Sequence, residues 1–307
     1  MNYTLHQLQI FLKIVELKSI TKASEELNLT QPAVSIQLKN FQNQFDIPLT
    51  EVIGKKIYIT EFGLDIASTA QNIIDQVKAI EYKTMAFKGI LSGKLKISVV
   101  STGKYIMPYF LTDFIKKNQG IDLMMDVTNK SMVIKSIENN EVDFALVSIV
   151  PNDLKVDSEI LLDNKLYLIG NRSTELPEKQ YNKSIFNEIP LIYREEGSAT
   201  RSVMEKFFEI NGIKSKMKLE LTSNEAVKQA VISGLGYSTM PLIGLKNELE
   251  NGDLKIIPVA GFPIKSSWRL VWLKNKSLSP VAKAFIAFIK EEKVAIIENY
   301  FLWIKSF

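Results

Sequence analysis

The sequence predicts two unlike parts: an N-terminal all-α winged helix-turn-helix continued by a long linker helix, and a C-terminal two-lobed α/β domain. Three observations predict them. Two short amphipathic segments meet at "LNLTQP", residues 27–32, with a proline just inside the second. Apolar residues then recur at alternating steps of four and three from Ile66 to Phe87. Beyond Gly93, strand-like and helix-like stretches alternate to the C-terminus.

Each element has a local reason. Residues 4–17 place Leu5, Leu8, Phe11, Leu12 and Val15 on one helical face, and Thr4 and Gln7 have capping-box spacing. A second helix runs from Ser19 or Thr21 to Leu27, and "NLT" turns the chain. The third helix starts at an N-cap Thr30, with Pro32 in the first turn, where a missing N–H costs nothing, and with Val34, Leu38 and Phe41 inward. "KKIYIT" alternates like a short strand after a glycine turn, which completes a wing. Ile66, Ala70, Ile73, Val77, Ile80, Thr84 and Phe87 form a narrow heptad seam with polar flanks. That pattern favours a helix-to-helix dimer; the alternative is a helix lying on its own domain.

"GILSG" at 89–93 ends this helix, giving three segments: a winged helix-turn-helix head over 1–60, a linker helix over 61–90, and an α/β domain over 91–307. The repeated β-α pattern predicts mainly parallel sheets in two units, with a cleft at the strand C-termini.

Composition narrows the chemistry. Hydrophobic residues make up 46% of the 307, enough for sizeable cores. Cysteine is absent and His6 is the single histidine, which excludes disulfides, thiolate nucleophiles and a His-rich metal site. No run approaches the roughly 20 apolar residues of a membrane span, and the N-terminus lacks a signal-peptide pattern, so a cytoplasmic protein is expected. The net charge of +4 permits nucleic-acid binding without arguing for it. Lysines number 34 against four arginines, at 172, 194, 201 and 269.

"SITKASEELNLTQPAVSIQLKNFQNQFDIPLTEVIGKKIYITEFG" resembles the DNA-binding domain of LysR-type transcriptional regulators. Leu8, Phe11, Ser19, Ala23, Leu27, "TQPAVS", "GKKIYIT" and Gly63 match in order and spacing, and the remaining length and layout also fit. Within that family, "VVSTGKYIMPYF", "YREEGSATRSVMEKFF", "SNEAVKQAVISGLG", "GFPIKSSW" and "KSLSP" resemble regulators of the Calvin-cycle (Rubisco) operon. Ile36 and Thr50 stand where the family often has Arg and Phe, and the terminal "VAIIENYFLWIKSF" runs past the usual end, suggesting an extra helix packed on a neighbour.

The resemblance implies a periplasmic-binding-protein-like effector domain. Lobe I would cover about 91–163 and 267–307 and lobe II about 164–266, with crossings near 162–166 and 263–268. It also implies promoter DNA, a small-molecule effector, RNA polymerase and further copies of the chain, as homodimer and homotetramer, as partners. No cofactor, metal or catalytic residue is expected. A two-lobed solute-binding protein without a transcriptional role is the alternative, and an enzyme using the cleft is a third reading with little chemistry to support it.

A helix-turn-helix lays its second helix in the major groove. Thr30 can meet phosphate, Gln31 an adenine edge, and Ala33 a thymine methyl. Ser35 and Gln37 are placed for base or backbone and Lys39 for phosphate. Lys55 and Lys56 suit the wing, and Ser19, Thr21 and Pro32 complete the expected DNA set. For Gln31 the alternative is capping, and for Lys39 a solvated face.

In the α/β half, the expected effector contacts lie in strand-to-helix loops: Ser101, Thr102, Asn129, Lys130, Ser148, Ser198, Thr200, Thr222, Ser223 and Asn224. Ordinary N-capping is the alternative for several. Arg201 follows "EEGSAT" at a helix start, and its planar fork suits carboxylate or phosphate. A phosphorylated or carboxylated metabolite held by Arg201, Ser198 and Thr200 is therefore expected. The rival is a structural ion pair with Glu195 or Glu196.

Overall fold

A computed structural model describes residues 2–54, 56–151, 153–175, 180–215 and 217–307. The chain divides into two compact units, one ending at Ile90 and one running from Leu91 to Phe307.

The first unit opens with α1 (Leu5–Leu17), α2 (Ile20–Glu26) and α3 (Gln31–Gln42). Thr4 caps α1 through a complete capping box with Gln7, Ser19 caps α2, and Thr30 caps α3. Asn28, between α2 and α3, adopts a positive φ of 54°, a conformation Asn tolerates better than most residues. Strands β1 (Thr50–Ile53) and β2 (Lys56–Ile59) form the antiparallel wing, and α4 (Glu61–Phe87) follows.

Leu8, Ile10, Phe11 and Ile14 of α1 pack with Ala23, Val34, Leu38 and Phe41. Leu5, expected on the inner face, is 44% exposed, whereas Ile10 and Ile14 are buried. The buried face is wider than one stripe because α1 packs against α4 as well as against α2 and α3.

Helix α4 splits its heptad seam. Ala70 is buried in the unit's own core beside Ala67 and Ile74, and Ile66 and Ile73 pack against it. Val77 is half-buried, Ile80 is 65% exposed and Phe87 is 96% exposed. The first half of the expected dimer seam thus lies on its own domain, and the apolar residues of the second half are left without cover from this unit.

The second unit is built on a seven-stranded sheet of order β10-β6-β11-β5-β3-β4, with β9 also paired to β6. Its strands are β3 (Ser92–Val100), β4 (Gly120–Thr128), β5 (Phe144–Val147), β6 (Val156–Asn171), β9 (Ser238–Pro241), β10 (Leu254–Ile257) and β11 (Ile264–Leu273). A second, parallel pair joins β7 (Leu191–Arg194) to β8 (Met217–Leu221). Helices α5 (Met107–Lys117), α6 (Lys130–Glu138), α7 (Ala199–Ile210), α8 (Asn224–Ile232), the short α9 (Lys246–Glu250) and α10 (Pro280–Tyr300) complete it.

The large sheet is mixed, where mainly parallel pairing was expected. Strands β3, β4 and β5 are mutually parallel, but β6 and β11 run antiparallel to each other, and β9 and β10 antiparallel to β6. The physical reason is passage: one strand leaves the first lobe and the other returns to it. The cores part along β6, with Leu161, Leu162 and Tyr167 in the first and Leu168 and Ile169 in the others. Both crossing strands are longer than their apolar stretches predict, and β10 was not anticipated.

The C-terminal segment folds onto its own unit instead of a neighbour. Ile296, Phe301 and Ile304 enter the first lobe's core. The Phe307 carbonyl oxygen accepts from Lys165 Nζ and from Tyr167 Oη, each at 2.9 Å. Among the described residues no helix is long and apolar enough to cross a membrane, and no cluster of His, Cys, Asp or Glu could hold a metal ion.

Gly63 tests the start of α4. A Cβ there would lie 2.1 Å from the Leu49 carbonyl oxygen, with Ile59 Cγ2 at 3.0 Å. Gly→Ala in a helix ordinarily stabilises. Here the helix is flush against backbone, so Gly63→Ala is expected to destabilise the N-terminal unit by about 2 kcal/mol, measured by urea unfolding followed by circular dichroism.

Candidate functional site

Two surfaces were expected to carry function, one in each unit. On the first, the exposed face of α3 presents Gln31, Pro32, Lys39 and Ile36, which is 58% exposed, while Ala33 and Ser35 are half-buried. Thr30 Oγ1 accepts from the Ala33 N–H at 3.4 Å, so it serves first as a cap. Gln37 is tied: its Oε1 accepts from Gln7 Nε2 at 3.1 Å, and Gln7 in turn accepts from the Thr4 N–H at 2.9 Å. The start of α1 and the middle of α3 are thereby locked together. Ser19 is spent as the α2 cap. Thr21 is exposed, and Lys56 is exposed on β2. Lys55 lies outside the described residues.

The second surface is a cleft in the α/β unit. Val100, Ser101, Thr102, Asn129 and Lys130 line it from one lobe, and Arg194, Ser198, Ala199 and Thr200 from the other. Six expected residues, Ser101, Thr102, Asn129, Lys130, Ser198 and Thr200, therefore come together. Ser198 begins α7 without spending its hydroxyl as a cap and is buried. Asn129 caps α6 through its Oδ1, which accepts from the Met132 N–H at 3.0 Å. Ser101 Oγ donates to the Thr128 carbonyl at 3.1 Å. Lys130 has no acidic partner among the described residues.

Four expected residues are placed otherwise. Ser148 is buried at the end of β5 and does not line the cleft. Thr222 and Ser223 are exposed, and Ser223 caps α8. Arg201 lies outside the cleft. Its Nε donates to Glu205 at 2.7 Å and its Nη1 to Glu220 at 2.6 Å, with the guanidinium over the Tyr193 ring. The hydrogen bond to Glu205, with that to Glu220, raises its pKa above the ordinary value. Arg201 thus sits among ion pairs with Glu205 and Glu220, not with the Glu195 or Glu196 expected.

The arginine of the cleft is Arg194, at the end of β7. It is 4% exposed. Nε and Nη2 form a two-pronged contact with Glu195 at 2.7 and 2.8 Å, and Nη2 lies 3.5 Å from Ser101 Oγ across the cleft. Its Nη1 donates to Asn224 Oδ1. Because a guanidinium only donates, that bond fixes the Asn224 amide. Asn224 Nδ2 is then a buried donor with no hydrogen-bond partner among the described residues, a costly state that a ligand oxygen would relieve. The signal for Arg194 was available: it is one of four arginines and precedes the Ser/Thr-rich turn.

The cleft is narrow. Gly197, with φ +84°, passes so close to α6 that an added Cβ would lie 2.8 Å from Ser131 Oγ. Its lining is polar on both sides. Two helix N-termini, of α6 and α7, and the Lys130 ammonium supply positive potential.

Residues 5–64 match the model of the bacterial regulatory helix-turn-helix protein, lysR family, and residues 88–293 that of the LysR substrate binding domain. The chain is 37% identical over 302 residues to the HTH-type transcriptional activator CmpR of Synechocystis, covering 97% of this chain and 99% of that protein. It is 36% identical to the RuBisCO operon transcriptional regulator of Allochromatium vinosum, covering 95% and 97%. The regulatory domain of Synechocystis CcmR, solved in complex with 2-PG, superposes with a TM-score of 0.63 at 33% identity, covering 66% of this chain and 98% of that one. Full-length CbnR, solved with its target DNA, shares the fold with a TM-score of 0.73 at 17% identity over 94% and 99%.

The Arg201 assignment has a direct check. Arg201→Ala removes two ion pairs and a ring contact from a side chain 18% exposed. It should cost about 1 kcal/mol of stability, seen as a lower Tm, while the anion affinity of the cleft stays unchanged by calorimetry.

Proposed function

The chain belongs to the LysR family of bacterial transcriptional regulators, and from that premise we propose which residues read its DNA, which hold its effector and which assemble it. It is a regulator and not an enzyme. We assign promoter contact to α3, led by Gln31 and Ala33, with Thr30, Lys39 and Lys56 on phosphates and Ser35 in support. Gln37 orients α3 through Gln7. The protein would act in the cytoplasm, where its promoter and RNA polymerase are found.

The effector is a small carboxylated or phosphorylated anion. The observation that carries this reading is the buried Arg194 guanidinium with the unpartnered amide of Asn224 beside it. Ser198, Thr200 and Lys130 complete the set of donors. The complex of CcmR with 2-PG makes 2-PG the first compound to try.

A band shift on DNA upstream of the protein's own coding region, with and without 2-PG, tests both halves. The wild type should bind one fragment specifically, and the anion should change its complex. Arg194→Lys should retain DNA binding and need at least about tenfold more anion, because an ammonium cannot hold Glu195 with two prongs and orient the Asn224 amide at once. An unchanged anion response in Arg194→Lys would remove Arg194 from the site.

Assembly is assigned to the uncovered end of α4, with a homotetramer formed through the α/β units. Ile80 and Phe87 are exposed apolar residues on one continuing seam. Ile80→Asp and Phe87→Asp should dissociate the homodimer in sedimentation without unfolding the protomer, whereas Ala70→Asp should unfold the N-terminal unit.

A further inference from the structure

We propose that the α/β unit carries a second small-molecule site, apart from the cleft, for an anion that bears an aromatic ring. The site is a groove of about 400 Å³, within the size range of small-molecule pockets. Lobe I contributes Lys104, Tyr105 and Tyr109, at the turn after β3 and the start of α5. Lobe II contributes Lys228 and the α9 residues Lys246 and Glu248. The C-terminal segment closes the third side with Tyr300 and Trp303.

The charges in the groove are placed, not loose. Lys228, whose side chain is 8% exposed, is balanced by Glu248 at 2.6 Å and Glu225 at 3.1 Å. Lys104 Nζ stands 5.0 Å from the Tyr105 ring centroid and Lys246 Nζ 5.7 Å from that of Trp303. Lys104 makes no ion pair within 4.0 Å among the described residues, though Glu225 lies within its electrostatic reach, and Lys246 meets Glu250 at 4.0 Å. Two ammonium groups thus stand at the rim, each resting on a ring and each only loosely paired. Tyr109 and Tyr300, with ring centroids 4.9 Å apart, leave over 40% of their surface exposed beside them. Rings left partly uncovered next to loosely paired cations suit a ligand that stacks and carries negative charge.

The groove also has a route to the cleft. The Tyr105 hydroxyl donates to Glu225 across the lobes. Tyr105 ends the turn that follows the cleft residue Thr102, and Glu225 follows Asn224, the partner of Arg194. An occupant would rest on both lobes and on the C-terminal segment.

Calorimetry on the full chain tests the site, with 1-naphthoate as the ring-bearing anion, 1-naphthalenemethanol as the uncharged ring and acetate as the charge without a ring. Saturable 1-naphthoate binding is expected, with either control at least about tenfold weaker, a difference of about 1.4 kcal/mol. The Lys104→Glu/Lys246→Glu double variant should lose at least about tenfold; Lys246→Gln and Trp303→Phe should weaken binding in the same direction. Arg194→Lys should leave the affinity within about twofold, which separates this site from the cleft and from its proposed effector. Unchanged affinity in both lysine variants, loss of binding in Arg194→Lys, or no saturable heat with 1-naphthoate would each overturn the assignment.

Discussion

The pairing of β6 with β11 carries the chain out of one lobe and back, and the cleft is assembled around it. The register runs from Val156 opposite Leu273 to Leu166 opposite Ile264, with one shift between Trp268 and Arg269. Inside that ribbon Asn164 Nδ2 donates to Ser266 Oγ at 3.0 Å. Trp268, 1% exposed, anchors one crossing in the first core. The two lobes are thus joined by a continuous hydrogen-bonded antiparallel ribbon.

Helix α8 is where the polar networks of the second unit converge. Asn224, its first residue, takes the Arg194 guanidinium, and Lys228, one turn later, takes Glu225 and Glu248. Burial by itself would lower the Lys228 pKa, but the hydrogen bonds to Glu248 and Glu225 outweigh it and leave the value raised. Burial likewise opposes ionised Glu225, and the Tyr105 hydroxyl with Lys228 reverses the balance, so its pKa is lowered. Tyr105 is pushed above its ordinary value by burial first and by Glu225 second, which keeps the proton on the phenol as donor. These groups hold the charge states their contacts require near neutral pH. In both networks a charge-assisted bond crosses between the lobes, from Arg194 to Ser101 and from Tyr105 to Glu225.

In the N-terminal unit the same economy of contacts positions α3. The Gln7 amide closes a capping box at one end and holds Gln37 at the other. The wing and α4 are joined through Thr60, whose hydroxyl donates to the Pro48 carbonyl at 2.7 Å and accepts from the Gly63 N–H at 2.9 Å. Ile36 is exposed on α3.

What the sequence by itself determined was local. Thr4, Ser19 and Thr30 are caps because their hydroxyls reach N–H groups three residues on, and the spacing states it. The helix-turn-helix, the wing, the alternation after Gly93 and six of the cleft residues were legible for the same reason: each depends on neighbours within a turn or a strand. Only the tertiary structure decided which of two arginines seven residues apart enters the cleft. Arg194 ends a buried strand beside α8, while Arg201 is one turn into α7, within reach of Glu205 and of Glu220 on the adjacent strand β8. Tertiary contact also divided the heptad seam at Ile73, since α1 covers the first half of α4. It folded residues 296–307 onto their own lobe and set β6 antiparallel to β11. In every such case the deciding partner lies far away in sequence, and no periodicity reports which of two equally suitable faces a distant element will cover.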